Sequence, residues 1–310
     1  MIDLPPASDA TRWQIIVNPA SGRARQGSVR VRVECALAAA NVDSQFAVSS
    51  CASHAEELVI GAVAAGLRRF AVAGGDGTAH AVLNGLSAQR IVPLDQLTLA
   101  LLPLGTGNDW ARTLAIPRKL DAAVNLLAKA NTRAHDVGVV TCQREGRPST
   151  RHFLNVAGAG FDAHVVRRLQ SRRAGRWTYY AGVMQGARTY RAASLRIRAG
   201  DLAYDGPILV AFANIGRYLG GGMRIARNAR YDDGLFDVTI VRAMPGVQII
   251  AHLPRLLAGD LARSPWVATS RTTQLEIEGD AEVEADGELL GCLPATVRMA
   301  PSRINVVTAP

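Results

Sequence analysis

The 310-residue sequence predicts a two-domain α/β protein, with a parallel-sheet domain over residues 1–133 and a mostly antiparallel β-sandwich domain over residues 134–310. Two observations lead to this fold class. Up to about residue 133, short apolar runs alternate with amphipathic helical stretches, as they do in βαβ units. Beyond that point strand-like runs follow one another with few helical interruptions, which is typical of antiparallel sheets.

The first domain alternates regularly between strands and helices. We predict strands over 13–17 (WQIIV), 44–50 (SQFAVSS), 69–75 (RFAVAGG) and 97–105 (LTLALLPLG), with helices over 28–40, 54–67, 78–86 and 119–130 and a short helix from Asn108. Apolar runs of this kind belong to a sheet that helices cover on both faces. We therefore expect a parallel, Rossmann-like sheet.

The second domain consists mostly of strand-like runs. These runs are 135–142, 151–157, 194–199, 207–213, 235–242, 273–278, 295–300 and 303–308, and helical regions interrupt them at 162–191 and 246–258. The last run, 303–308, has two open placements, because it can end the sandwich or return to the sheet of the first domain.

Composition narrows the class of protein. The formal net charge of +9 suits an anionic partner, such as nucleic acid, a membrane surface or a phosphate-rich substrate, although arginine-rich usage also follows from a GC-rich genome. Four scattered cysteines without a C-x-x-C pair predict neither disulfides nor a zinc site. We find no secretory signal and no apolar run of membrane-spanning length, so we expect a cytoplasmic protein.

Three polar loops follow predicted parallel strands. They are NPASG at 18–22, GGDGT at 74–78 and LGTGND at 104–109. Ligands bind beyond the carboxyl ends of such strands, and backbone N–H groups at a helix N-terminus favour anions. One Gly-Asp-Gly alone is an ordinary tight turn, but three such loops favour a polyphosphate site. There Asp76, which we expect to be an exposed loop carboxylate contributing little to the core, would bind Mg²⁺ directly or through water.

One further glycine motif is weaker evidence for a nucleotide site. No Walker A sequence occurs, and GAGFDA at 158–163 matches the G-x-G-x-x-A fingerprint of dinucleotide sites. The acidic residue expected about 20 positions later is missing from that arginine-rich region. We therefore interpret GAGFDA as a close-packed turn.

The motifs taken together resemble the diacylglycerol kinase family, which includes bacterial lipid kinases and sphingosine kinases. The resemblance covers almost the whole chain and rests on NPASG, VAGGDGTAHAVLNGL, PLGTGNDWART, GAGFDA, GGGMRIA, DDGLFDV and EADGE. NAD kinases share the Gly-Gly-Asp-Gly turn, whereas PLGTGND resembles the lipid-kinase branch. The resemblance implies a NAD kinase/diacylglycerol kinase-like fold, ATP and Mg²⁺ as cofactors, and phosphorylation of a membrane lipid, first of all diacylglycerol.

The resemblance also implies roles for individual residues. ATP would be bound at Asn18, Pro19, Ala20, Ser21, Gly22, Ser49, Gly74, Gly75, Asp76, Gly77, Thr78, Gly105, Thr106, Gly107 and Asn108. A structural Mg²⁺ would lie at Asp233 with the carbonyls of Arg230 and Leu235. Catalysis would use Asp76 with a proton acceptor in ADGE, either Glu288 or Asp286. An Asp-Gly pair between strands also predicts a hairpin, and we expect a hairpin that displays carboxylates.

The acceptor and the partners are less constrained by the sequence. Arginines and aromatics mixed over 165–191 suit peripheral contact with an anionic membrane that presents the lipid, or a solvated helix whose aromatics pack inward. No nucleic-acid-binding motif occurs, and we expect no nucleic-acid partner. Phosphatidylglycerol, a sphingoid base or NAD are alternative acceptors, and a regulatory protein without turnover is a further alternative. The sequence is compatible with a homodimer and with a monomer.

Overall fold

The computed structural model describes residues 10–19, 26–169 and 176–310, with the backbone alone at 26–28, 176–180, 187–188, 246, 250, 253–254 and 256–257. Of the predicted ATP-binding residues, Ala20, Ser21 and Gly22 lie outside the described residues. The chain divides into two compact units. We call residues up to His135 together with Pro301–Pro310 the N-terminal unit, and Asp136–Ala300 the C-terminal unit.

Strands outnumber helices in the part of the chain that the structure describes. The strands are β1 (Trp13–Val17), β2 (Ser44–Val48), β3 (Arg69–Gly74), β4 (Thr98–Pro103), β5 (Thr132–His135), β6 (Gly138–Arg144), β7 (Arg147–Phe153), β8 (Val156–Gly160), β9 (Ala193–Ala199), β10 (Leu202–Asn214), β11 (Tyr218–Leu219), β12 (Met223–Arg224), β13 (Phe236–Arg242), β14 (Val267–Thr272), β15 (Gln274–Gly279), β16 (Glu282–Ala285), β17 (Glu288–Met299) and β18 (Ile304–Val307). The helices are α1 (Gln26–Ala39), α2 (Ala52–Ala64), α3 (Asp76–Ala88), α4 (Asp109–Thr113), α5 (Leu120–Lys129), α6 (Phe161–Leu169), α7 (Arg176–Thr189) and α8 (Gly246–Ala258), with 3-10 turns at Leu94–Gln96 and Leu261–Arg263.

The N-terminal unit is built on one sheet in the order β2-β1-β3-β4-β18-β5. The first four of these strands and β18 are parallel, and only β5 runs antiparallel to β18. Strands β1, β3 and β4 are buried almost throughout, as expected of a sheet covered on both faces. The predicted parallel α/β domain is confirmed, and the run at 303–308 forms β18 in this sheet.

The C-terminal unit contains one large antiparallel sheet in the order β14-β13-β10-β8-β16-β17-β15-β9. Strand β9 pairs with β10 as well as with β15, so the strands from β10 round to β9 close into a ring. Apolar side chains from β8, β9, β10 and β13 fill one core. A second core lies on the side of α6, α7 and α8. The predicted mostly antiparallel domain is confirmed.

Two predicted strands are interrupted in the structure. The run at 135–142 divides after β5, because the Asp136 N–H donates to Tyr231 O at 2.7 Å and Asp136 Oδ2 accepts from Gly234 N at 2.7 Å. The run at 151–157 divides between β7 and β8, where the Leu154 and Asn155 amides donate to a carboxylate instead of a neighbouring strand. Long-range hydrogen bonds therefore end strands that the apolar pattern alone would continue.

The GAGFDA motif differs from its interpretation as a turn. Its Gly-Ala-Gly part forms the end of β8, and α6 begins directly afterwards at Phe161. A Cβ atom on Gly160 would lie 2.8 Å from the Leu209 carbonyl oxygen, so close packing does require a glycine there. The motif is thus a strand-to-helix junction within the sheet.

Candidate active site

The two glycine-rich loops of the N-terminal unit leave neighbouring strands at the same edge. β3 and β4 are parallel, and Gly74 at the end of one lies opposite Pro103 at the end of the other. The Gly74 carbonyl then accepts hydrogen bonds from the N–H groups of Leu104 and Gly105, at 2.9 and 3.0 Å. The loops are therefore joined where they begin.

The loops approach so closely that a glycine is needed at position 105. A Cβ atom on Gly105 would lie 2.6 Å from Gly75 Cα and 2.8 Å from Asn108 Oδ1. Contacts this short do not occur for real side chains, and both nearest atoms are held by their own loops. The second glycine loop is thus specified by packing against the first.

Asp76 fastens the two loops together. Its Oδ2 accepts a hydrogen bond from the Asp109 N–H at 3.0 Å, and its Oδ1 accepts one from the Trp110 N–H at 3.3 Å. These amides open α4, where a carboxylate satisfies orphan donors and is favoured by the helix dipole. The expectation that Asp76 is an exposed carboxylate of little structural weight is wrong, because it is half-buried and bonded.

The other described residues predicted to bind ATP lie along the same sheet edge. Asn18 Nδ2 donates to Thr78 Oγ1 at 2.9 Å, which joins the loop after β1 to the first turn of α3. Ser49, buried after β2, bonds through its N–H to Val17 O at 2.9 Å. Asn108 has left-handed backbone (φ 52°) and donates from Nδ2 to Gly105 O at 2.6 Å. Of the remaining residues, Pro19 is half-buried and Thr106 is exposed. Gly77 lies in the first turn of α3, and Gly107 lies next to Asp76.

This edge has the chemistry of an anion site. Gly75 precedes α3, a helix of 13 residues, and the first N–H groups of such a helix have no carbonyl partners within the helix. Backbone donors and the positive end of the helix dipole together favour phosphate groups. The geometry supports the prediction that the loops hold a polyphosphate.

The Asp-Gly-Glu motif of the C-terminal unit is a hairpin turn. Asp286 (φ 51°) and Gly287 (φ 85°) both have positive φ angles, as a two-residue type I′ turn requires, and Ala285 pairs with Glu288 across them. The turn therefore has the predicted form, between β16 and β17.

The structure places the two candidate bases of this turn differently. The Asp286 carboxylate is half-buried and accepts three backbone hydrogen bonds, from Leu154 at 2.9 Å, Asn155 at 2.9 Å and Val156 at 3.2 Å. Its lone pairs are thereby engaged in holding the chain between β7 and β8. Glu288, by contrast, is exposed. Asp286 is a structural clamp, and Glu288 is the carboxylate that the turn displays.

In this structure, protein groups bond the carboxylate that the resemblance assigns to Mg²⁺. Asp233 Oδ1 accepts from the Leu235 N–H at 3.2 Å, and Asp233 Oδ2 forms an ion pair with the Arg271 guanidinium. Arg271 also lies 3.7 Å from Asp237, and Arg230 pairs with Asp232 at 3.3 Å. The described residues contain no group of three or more His, Cys, Asp or Glu suited to a metal. A guanidinium occupies the place at Asp233 that the resemblance gives to Mg²⁺.

Arg271 also affects the pKa of Asp237. Burial raises the pKa of its carboxyl, Arg271 acts against this rise, and Asp233 adds to it. Asp233 and Asp237 thus share the Arg271 guanidinium.

A second pair of carboxyls was not identified from the sequence. Glu284 on β16 and Asp162 in the first turn of α6 are both buried, and their carboxyl groups interact. Asp162 belongs to GAGFDA, whereas Glu284 alternates along β16 with the core residues Val283 and Ala285. Alternation therefore predicts an exposed Glu284, and its burial is a feature that the sequence pattern does not reveal, because buried glutamate is rare.

Asp162 also lines an apolar cavity of about 80 Å³ in the C-terminal unit. The cavity lies between the sheet and α6–α8, among residues that include Phe161, Leu209, Phe212 and Ile249. The His252 ring on its wall already bonds to Gln248 O and to Ser264 Oγ.

In the part of the chain that the structure describes, no helix combines the length and the apolar character that crossing a bilayer would require.

Comparison with known proteins places the chain among lipid kinases. Residues 12–140 match the family described as the diacylglycerol kinase catalytic domain, and residues 155–308 match the YegS C-terminal NAD kinase beta sandwich-like domain. A Pseudomonas fluorescens protein named "Probable lipid kinase YegS-like" is 34% identical over 82% of this chain and 83% of its own length. The chain belongs to the diacylglycerol kinase family of lipid kinases.

Other members of the diacylglycerol kinase family agree with this placement. A diacylglycerol kinase of Bacillus subtilis is 28% identical over 96% of both chains. The crystal structure of a diacylglycerol kinase from Bacillus anthracis str. Sterne has a TM-score of 0.73 and covers 97% of both chains at 23% identity, which is a likeness of fold. This member of the family is accordingly a kinase with the predicted two-domain fold.

Proposed function

We propose that the protein transfers the γ-phosphoryl group of Mg·ATP to the hydroxyl of a membrane lipid, with diacylglycerol as acceptor and phosphatidic acid as product. Membership of the lipid kinase family supports the reaction class. The observation that carries the proposal is the clasp of Asp76 on the amides of Asp109 and Trp110, which holds two glycine loops together at one sheet edge.

The phosphate-binding part of the reaction is assigned to the N-terminal unit. Phosphoryl transfer requires positioned phosphates more than covalent chemistry from the protein. Backbone N–H groups at the start of α3, beside Gly75 and Gly105, suit the phosphate oxygens. Mg²⁺ arrives with the nucleotide as part of the substrate.

Proton removal from the lipid is assigned to Glu288. The acceptor oxygen forms a bond to the γ-phosphorus, the bond to the ADP oxygen breaks, and Glu288 takes the hydroxyl proton. Exposure of Glu288 makes it accessible to a substrate, whereas Asp286 is held by three backbone amides. Asp286 then keeps the turn in place, so that Glu288 is presented from a rigid hairpin.

The apolar cavity beside α6 is proposed to take part of an acyl chain. Its walls are aliphatic and aromatic, which suits a lipid tail and not a nucleotide. We propose that the lipid comes from an anionic membrane on which the protein lies peripherally. The net charge of +9 and the exposed Arg168 and Arg191 support this, while Arg172 and Arg173 lie outside the described residues.

The experiment is transfer of labelled γ-phosphate from Mg·ATP to acceptors in mixed micelles. Diacylglycerol, phosphatidylglycerol and sphingosine are compared with soluble NAD, and Glu288→Gln is the inactive control. Label on diacylglycerol that the control loses is the expected result. Label on another acceptor would change the substrate, and ATP binding without labelled product would favour the regulatory alternative.

A further inference from the structure

Glu284 is a carboxyl group inside the sheet of the C-terminal unit. It lies on β16 between β8 and β17 and is 0% exposed. Its neighbour across the β8 pairing is Gly158. A Cβ atom on Gly158 would lie 2.9 Å from Glu284 Oε1, closer than real side chains allow. The glycine therefore provides the space that the Glu284 carboxyl occupies.

The two oxygens of Glu284 have different surroundings. Oε2 accepts a hydrogen bond at 3.0 Å from the Gly287 N–H, in the turn that bears Glu288. Oε1 receives no hydrogen bond from any N–H donor of the described residues. The carboxyl of Asp162, 2% exposed, interacts with that of Glu284. Among the described residues, the charged groups that act on Glu284 are thus Asp162 and Asp286, both carboxyls.

Two ionised carboxyls cannot be accommodated at this place. A buried negative charge is unfavourable without a cation, and two adjacent ones repel each other. Burial, followed by Asp162, raises the pKa of Glu284 well above its ordinary 4.5. Asp162 stands in the first turn of α6, where the helix dipole favours the ionised form. The proton therefore belongs on Glu284, with Asp162 as its acceptor.

We propose that Glu284 and Asp162 share one proton at neutral pH, and that the protonated pair positions the turn that carries Glu288. The shared proton leaves Glu284 Oε2 in place to accept the Gly287 amide. Loss of the proton sets the two carboxylates against each other and loosens this contact. Glu284 is a positioning residue. Its catalytic consequence rests on the proposed function, whereas the shared proton does not.

The first test is unfolding by urea as a function of pH, in wild type and in Glu284→Gln. Glutamine keeps a carbonyl oxygen for Gly287 and donates an N–H to Asp162, so it mimics the protonated residue. Above the ordinary pKa of 4.5 the unfolded chain loses a proton that the native pair retains. Native stability therefore falls as pH rises, until the pair itself ionises.

The expected result is that the ratio of the two unfolding constants, wild type to Glu284→Gln, changes with pH. The unfolding constant of wild type should rise relative to that of Glu284→Gln by up to about tenfold per pH unit. The exposed variant Glu278→Gln should keep the wild-type dependence. A ratio that does not change with pH would overturn the proposal. Groups outside the Glu284–Asp162 pair titrate alike in the two proteins and cancel from the ratio.

Infrared spectroscopy of the wild-type protein tests directly for the shared proton. Wild type at neutral pH should show the C=O band of a protonated carboxylic acid, which Glu284→Gln removes and Asp162→Asn shifts, because that variant replaces the acceptor of the proton. A wild-type spectrum without that band would exclude a shared proton.

Kinetics test the positioning role. Glu284→Ala should lower kcat for the lipid by about tenfold or more with little change in KM for ATP, and Glu284→Gln should restore kcat. An unchanged kcat in Glu284→Ala would remove the positioning role. If no lipid is phosphorylated, the proposed function fails, while the pH dependence and the infrared band still decide the shared proton.

Discussion

The carboxylate of Asp76 accepts a hydrogen bond at 3.0 Å from the backbone N–H of Asp109, 33 residues further along the chain. A side chain of the first glycine loop thereby accepts hydrogen bonds from N–H groups at the start of α4, the helix that follows the second glycine loop. The Gly74 carbonyl at the start of the first loop also accepts hydrogen bonds from Leu104 and Gly105 of the second, so the protein's own hydrogen bonds organise this edge of the N-terminal sheet. Such organisation lowers the cost of ordering the loops around a nucleotide.

Removal of the Asp76 carboxylate should affect both stability and activity. Asp76→Ala leaves the amides of Asp109 and Trp110 without their acceptor, so the free energy of unfolding should fall by about 1–3 kcal/mol. Urea unfolding measures this loss, and a kinase assay measures the expected loss of turnover. Glu57→Ala, an exposed change on α2, should leave stability within about 0.5 kcal/mol. Wild-type stability in Asp76→Ala would contradict the clasp.

Gly105→Ala should separate the two loops. Its Cβ would meet Gly75 Cα at 2.6 Å, so one loop has to shift, and ATP affinity measured by calorimetry should fall at least tenfold. Gly61→Ala on α2 is the matched control, because a Cβ there meets no atom within 4 Å. That variant should gain about 0.4–1 kcal/mol of stability and keep its ATP affinity.

Glu288 and Asp286 should be separable by mutation. Glu288→Gln should lower kcat by about 10²–10⁴-fold with an unchanged unfolding midpoint, because the residue is exposed and is the proposed base. Asp286→Ala should lower the unfolding midpoint as well, since three backbone amides lose their acceptor. Equal losses of stability in the two variants would contradict these assignments.

Cys51 should be the most reactive thiol of the chain. Hydrogen bonding by Ser53, then by the His54 backbone and Ser50, lowers the pKa of its thiol, so that more thiolate is present at neutral pH. Iodoacetamide labelling followed by mass spectrometry should find Cys51 modified ahead of the exposed Cys35 and Cys292. Cys142, whose pKa burial raises, should react last. Bound ATP should slow labelling of Cys51 if Ser49 lies at the nucleotide.

Mg²⁺ without nucleotide should not stabilise the wild-type protein. Arg271 already supplies the positive charge at Asp233, so the unfolding midpoint should be the same in Mg²⁺ and in EDTA. In Arg271→Gln the carboxylates of Asp233 and Asp237 lose this partner, and Mg²⁺ at tenfold excess over its Kd should add about 1.4 kcal/mol. Arg196→Gln, which removes a comparable exposed ion pair, should show no such gain. Mg²⁺ stabilisation of wild type would restore the metal to this turn.

The sequence predicts the parallel sheet and its loops well because these features are local. Apolar runs predict β1, β3 and β4, and the glycine motifs follow directly from their ends. The clasp at Asp76 is not predictable in this way, because it depends on which amides of the neighbouring loop reach the carboxylate. A residue interpreted as a ligand-binding group is therefore also a structural one.

The C-terminal unit was harder to predict, because distant residues end its strands. The apolar run at 135–142 gives no sign that Asp136 bonds to Gly234, 98 positions away. Arg271 and Asp233 likewise meet only after the pairing of β13 with β14 is formed. The site residues that the sequence missed are those whose partners come from separate strands.

The placement of β18 has a consequence for synthesis of the chain. Ile304–Val307 lies between β4 and β5, so the sheet whose first strand is Trp13–Val17 gains an interior strand from residues that are translated after the whole C-terminal unit. Asp136–Ala300 is continuous in sequence and can fold as it leaves the ribosome. The N-terminal sheet is complete only once residues 304–307 have been translated, and until then β4 and β5 expose unpaired backbone edges.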